Sequence, residues 1–239
     1  MEITKREILA SITIIALMLL IGVLLQGQLV ELKMDANEKY NKAVKIESQE
    51  LFRYGMDTNV GYAFVYGDLI ALDPVSYPEI EGEYLSIEKV KERYTMHTRT
   101  VTYTDSNGKT KTETETYWTW DVVGRENKQA KRVEFKGIEF DSNKFNLPSE
   151  SYLTTIKTSS HVRYKYYVSS TEHIGTMFGY LADKSIEGTG VAFYDGLTIE
   201  ETTEMLDSNI YLVFFWMFWV VLTGFAVYLF YYAENRWLH

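Results

Sequence analysis

Residues 210–232 read IYLVFFWMFWVVLTGFAVYLFYY, an apolar run without one charged side chain. At about 1.5 Å of rise per helical residue, such a run spans the roughly 30 Å hydrocarbon layer of a bilayer. Its aromatic residues fit that reading. Tyr211 at one end and Tyr231, Tyr232 and Trp237 at the other stand where interfacial rings belong, while Trp216 and Trp219 lie deeper and suit contact with another helix. A second run lies near the other end of the chain. Residues 8–25 are uncharged and mostly Leu, Ile and Val, each worth about −0.3 to −0.6 kcal/mol on the insertion scale. This run is longer than the apolar core of a signal peptide, and Leu25-Gln26-Gly27-Gln28-Leu29 offers no small-x-small cleavage site, so it is expected to stay as an anchor.

The two runs explain why a 239-residue chain with a net charge of −9 has a mean hydropathy near zero: the apolar residues are segregated at its ends. The expected fold class is an α+β membrane protein, two transmembrane helices flanking a β-rich extramembrane domain with a long projecting hairpin. Its expected organisation is an N-terminal tail 1–7, a span 8–28, a juxtamembrane helix 29–54, a β-rich domain 55–208, a span 209–232 and a C-terminal tail 233–239. Lys5 and Arg6 flank the first span and Arg236 follows the second, so both termini are expected in the cytoplasm and the domain outside or in a lumen. The chain has neither cysteine nor an Asn-x-Ser/Thr sequon, which points to a bacterial cell membrane.

Residues 29–54 contain neither Gly nor Pro, and Leu29, Leu32, Ala36, Tyr40, Ala43, Val44, Glu47 and Leu51 recur at spacings of three and four, predicting one continuous helix. The period changes to two after Gly61. Residues 62–72 form a run apolar on both faces, stopped by Asp73-Pro74, and read as a buried strand. Residues 94–120 read as a hairpin turning at Asp105-Ser106-Asn107-Gly108, since Asn-Gly tolerates positive φ. Its arms are Thr-rich, with Arg99 on one and Glu113 and Glu115 on the other, and its roots are aromatic: Tyr94, Met96, Tyr117, Trp118 and Trp120. Strands are also predicted over 132–140, 161–169 and 190–194. A short helix is predicted over 170–181, from the helical spacing of Ile174, Met177, Phe178 and Leu181. Another begins at Thr198, where Thr198-Ile199-Glu200-Glu201 has capping-box form.

Catalytic motifs are missing. Without cysteine there is no thiol nucleophile and no zinc knuckle, and the chain has no G-x-S-x-G elbow, P-loop, H-E-x-x-H or G-x-G-x-x-G. His97 and His161 both fall on predicted strands and would supply half of a metal site if they met, but two scattered histidines are more often hydrogen-bonded surface residues. His173 and His239 complete the set. Asp105-x-Asn107-Gly108 has the first half of a calcium loop without its later ligands, and a hairpin turn explains it. The acidic balance and the lack of a basic cluster argue against nucleic acid. No catalytic residue, metal or cofactor is expected.

Three stretches carry a family resemblance: Val65-Tyr66-Gly67-Asp68-Leu69-Ile70-Ala71-Leu72-Asp73-Pro74-Val75-Ser76, then Tyr84-Leu85-Ser86-Ile87-Glu88-Lys89-Val90-Lys91-Glu92-Arg93-Tyr94, then Thr114-Glu115-Thr116-Tyr117-Trp118-Thr119-Trp120. Over roughly residues 61–140 the chain resembles the LUMA-type transmembrane proteins of the nuclear envelope and endoplasmic reticulum. It is more distantly similar to the membrane-side domain of GIDE-type ubiquitin ligases, both carrying a beside-a-membrane (BAM) domain. The resemblance implies a non-enzymatic domain close to the bilayer that organises, senses or scaffolds. The chain departs from it in having two spans where LUMA-type proteins have more, and no RING, so ligase activity is not expected.

Three functions follow in order. The first is a non-enzymatic interaction, sensor or scaffold module, with Asp105, Asn107, Gly108, Lys109, Arg99, Glu113, Trp118 and Trp120 as contact residues for a protein, lipid head group or envelope component. The second is an oligomeric pore-forming or membrane-perturbing protein of a mobile element, self-associating through Gly22, Gly224 and the aromatic face of the second span. The last is a tethered hydrolase using His97 or His161.

Overall fold

A computed structural model of the chain describes residues 5–237; His239 and the side chains of Arg236 and Trp237 fall outside this description. Two compact units emerge, residues 1–43 with 200–239 and residues 44–199.

The first unit is helical. Helix α1 (Lys5–Asn41) and helix α4 (Ile210–Trp237) are both long and apolar enough to cross a membrane. They pack on each other through polar contacts set among apolar ones. Trp219 donates its indole N–H to the Met18 carbonyl at 2.8 Å, Trp216 donates to Gln26 Oε1 at 3.0 Å, and Ser11 Oγ lies 3.0 Å from the Tyr231 hydroxyl. Gly22 makes the approach possible: a Cβ there would sit 2.6 Å from Trp219 Nε1. A short helix, α3 (Ile199–Asp207), begins directly after Thr198, with Glu200 and Glu201 in its first turn, as the capping-box pattern predicts.

The second unit is β-rich. An eight-stranded sheet has the order β6 (Ile138–Asp141), β5 (Arg132–Phe135), β2 (Gly61–Ala71), β10 (Glu172–Ala182), β12 (Val191–Asp195), β7 (Phe145–Asn146), with β1 (Val44–Ile46) beside β2 and β11 (Ser185–Ile186) beside β10. A four-stranded sheet has the order β4 (Thr110–Gln129), β3 (Ser86–Thr104), β9 (Val162–Ser169), β8 (Ser151–Ser159). Helix α2 (Gln49–Asp57) covers the larger sheet. Its Phe52 is fully buried and meets Phe135 edge to face at 5.7 Å, and Val65, Leu69, Met177 and Leu181 complete the core. A smaller core of Tyr77, Ile87, Tyr166 and Val168 lies under the second sheet.

The predicted strands over 62–72, 161–169 and 190–194 are present as β2, β9 and β12. Three other expectations are corrected. The helix expected over 29–54 ends at Asn41. Val44–Ile46 pairs in parallel with Ala63, Phe64 and Val65, and Ser48 then caps a separate helix by accepting from the Leu51 N–H at 3.2 Å. The strand expected over 132–140 is a tight hairpin, because Lys136 and Gly137 both take positive φ (52° and 73°).

The helix expected over 170–181 is β10, the central strand between β2 and β12. Two glycines decide against a helix there. Each would cost it about 1 kcal/mol relative to alanine, whereas in the sheet Gly175 is required: a Cβ would lie 2.3 Å from the Tyr194 carbonyl oxygen.

Candidate functional site

β3 and β4 pair antiparallel from Ser86–Gln129 to Thr104–Thr110, further than the 94–120 limits read from sequence, because the pairing continues through a bulge beside Lys91 and Glu92. Only the first part of β3 also pairs with β9, from Ser86 to Arg93, followed by the bond from the Tyr94 N–H to the His161 carbonyl. From Thr95 outward, β4 is the only strand beside β3 among the described residues.

Alternation gives this ribbon two unlike faces. On one face the cross-strand pairs are His97–Tyr117, Arg99–Glu115, Val101–Glu113 and Tyr103–Lys111. Here Arg99 binds Glu115 at 2.7 Å, not Glu113, which lies opposite Val101. His97 Nε2 lies 2.6 Å from Asp121 Oδ2, and the Thr119 hydroxyl donates to the other oxygen of that carboxylate. The hydroxyls of Thr119 and Thr95 and the His97 ring together hold Asp121 below the usual carboxylate range. The other face carries Tyr94–Trp120, Met96–Trp118 and then four threonine pairs, Thr98–Thr116, Thr100–Thr114, Thr102–Thr112 and Thr104–Thr110. No residue in these pairs is charged. Tyr94 stacks on Trp118 at 5.3 Å and meets Trp120 at 5.2 Å, and the Arg163 guanidinium caps Trp120 at 4.2 Å. Trp118 remains 47% exposed.

At the tip, Asp105 holds the turn together. One oxygen of its carboxylate accepts from the N–H groups of Asn107 and Lys109, and the other meets the Lys111 ammonium at 3.1 Å. The Lys109 N–H, Lys111 and the Asn107 N–H keep its carboxyl below the ordinary value. Of the Asn-Gly pair only Gly108 takes positive φ, at 74°. Asp105 is therefore a turn staple, and Asn107 and Lys109 are the tip residues that present side chains.

At the inner end of the uncharged face, Glu92 is buried and receives Arg163 at 2.5 Å and Lys165 at 3.0 Å. Burial pushes its carboxyl up, but the bonds and charges of Arg163 and Lys165 outweigh it and leave the group below its ordinary value. Sequence reading missed this trio. Its signal was alternation in residues 162–168, which sets Arg163 and Lys165 on one face of β9.

The chain matches no family model, no curated protein and no solved structure.

His97 and His161 do not meet, because the ribbon separates them. His97 lies on the charged face, while His161 lies in the β8–β9 turn with its ring 6.4 Å from both Tyr94 and Trp118 on the other. No group of three or more His, Asp or Glu able to hold a metal occurs among the described residues. His173 does form a chain of bonds: Ser169 Oγ is 2.8 Å from its Nε2, and Asp195 Oδ2 is 3.0 Å from its Nδ1. That is the connectivity of a nucleophile, base and orienting acid. Accessibility runs the wrong way, however, with Ser169 2% exposed and the Asp195 side chain 46% exposed. A nucleophile must meet its substrate, so the trio serves as a tie between β9 of one sheet and β10 and β12 of the other.

Proposed function

We propose that this protein is a non-enzymatic, membrane-anchored interaction module. In this reading α1 and α4 span the bilayer, both termini are cytoplasmic, and the β-rich unit lies outside and offers the β3–β4 ribbon to a partner. The observation that carries it is the solitary pairing of β3 with β4 beyond Tyr94, since a ribbon that has no third strand among the described residues and whose arms are mostly exposed is held out for contact. Lys5 and Arg6 before the first span support the orientation, and the resemblance of residues 61–140 to beside-a-membrane domains supports a place close to the lipid.

A pore is less well supported. Ser11, Thr13 and Thr223 bond backbone carbonyls of their own helices, and Gln26 accepts from Trp216, so these polar groups of the helix pair are already engaged.

The tip can be tested without disturbing the Asp105 staple. In cells whose phenotype depends on this chain, Asn107→Glu combined with Lys109→Glu is expected to fail to complement a deletion while accumulating in membranes at the wild-type level. Full complementation would show that the tip is not the contact surface.

A further inference from the structure

The two faces of the ribbon ask for different partners, and the uncharged one is the more specific. Its root presents stacked rings, with Trp118 and Met96 exposed at 47% and 54%. Beyond them the threonine pairs repeat about every 7 Å along the strands and about 5 Å across them, each offering a hydroxyl that donates and accepts and a methyl that does neither. The cations Arg163 and Lys165 lie at its inner end, before the aromatic root, and share Glu92, so the charge there sits apart from the threonine pairs.

Charge decides among occupants. Along the paired residues from Tyr94–Trp120 to Thr104–Thr110, an anionic partner such as nucleic acid or an acidic lipid surface would find no cation, and a strongly cationic one no carboxylate. A second copy of this chain is limited by area. Eleven residues of a two-stranded ribbon offer a face of about 350 Å², well under the roughly 800 Å² per partner of a stable interface. An extended peptide would seek a strand edge, whose open N–H and C=O groups lie along the ribbon's margins and not on this face.

What fits is a linear, uncharged, hydroxyl-rich ligand with flat C–H faces. We propose that the Tyr94–Trp118–Trp120 stack and the threonine ladder form a binding face for a neutral glycan chain, sugar rings stacking on the aromatics and hydroxyls bonding to the threonines. This rests on reading the ribbon as the contact surface and names the partner class for it.

The test uses the full-length protein in phosphatidylcholine nanodiscs, applied to an array of defined neutral and anionic oligosaccharides. Binding is expected to neutral glycans. Trp118→Ala should weaken it at least tenfold, and so should Thr100→Val with Thr114→Val, which keeps the shape and removes the hydroxyls. Tyr103→Ala on the opposite face should leave it unchanged. A silent array, retention of anionic glycans alone, or binding indifferent to Trp118→Ala and to the double valine variant would overturn the assignment. Such a result removes the ligand class only, and leaves contact through the tip to be decided separately by the Asn107 and Lys109 variant in cells.

Discussion

Glu92→Ala is expected to lower the stability of the β-rich unit by about 3 kcal/mol, the lower end of the range for breaking a buried ion pair. For a unit of this size that is a fall of about 6–12 °C in melting temperature. The loss comes from what remains: Arg163 and Lys165 lie on one side chain's two oxygens, and without that carboxylate two cations face each other with no counter-charge. Both cations are partly exposed, 21% and 27%, and can swing towards water, which is why the lower end applies. The same group gives a pH dependence of definite sign. Its folded pKa lies below the ordinary glutamate value of 4.5, so its contribution is complete above that value and is lost as pH falls through the depressed folded pKa. Thermal melts of the full-length protein in detergent, followed by near-UV circular dichroism, should show wild type and Glu92→Ala far apart at neutral pH and converging at an acid pH below the depressed folded pKa. Equal gaps at both pH values would show that the ionised carboxylate is not what stabilises this corner.

Phe135→Ala is expected to lower stability further, by about 3–5 kcal/mol, as for other buried phenylalanine truncations. The ring is fully buried and touches elements from distant parts of the chain: Phe52 of α2, Phe145 of β7 at 5.4 Å and Phe193 of β12 at 6.1 Å. These rings do not share one strand, so the cavity left behind cannot close by a shift of a single element. The melting temperature should fall by about 6–20 °C, with Phe135→Leu losing much less. A loss under about 1 kcal/mol for the alanine variant would mean that this cluster is not the centre of the core.

Much of this architecture is legible in the residues. Ile210 onward declares its helix by length and lack of charge, the two-face apolar run after Gly61 declares a central strand, and Asn107-Gly108 locates the turn between β3 and β4. What resists reading is decided by partners far away in sequence. Residues 42–48 carry no Gly or Pro, and nothing local ends the helix; Val44–Ile46 leaves it because β2 offers an open edge for parallel pairing. Ser48 was the available local signal, an N-cap placed before Gln49. Likewise Ile174, Met177, Phe178 and Leu181 fit a helical stripe and a two-face strand equally well by spacing. Gly175 and Gly179 were the clue, and its reason, the approach of the Tyr194 carbonyl, exists only once β12 is in place.

The candidate site was legible in part for the same reason. Local alternation predicts the Thr-rich arms and the aromatic roots. The partner of Arg99 and the separation of His97 from His161 depend on the register, which shifts at the bulge opposite Lys91 and Glu92. The Glu92–Arg163–Lys165 trio joins Glu92 to a residue 71 positions away and to its neighbour on the same strand face, beyond any spacing rule.

The central claim is that two spans hold the β-rich unit on the outer face of a membrane, and the absence of cysteine makes it directly testable. Thr4→Cys, Asn107→Cys and His239→Cys, introduced one at a time and exposed in intact cells to a membrane-impermeant thiol reagent, report each side separately. Labelling at position 107 alone is the predicted result; labelling at positions 4 and 239 but not at 107 would contradict it.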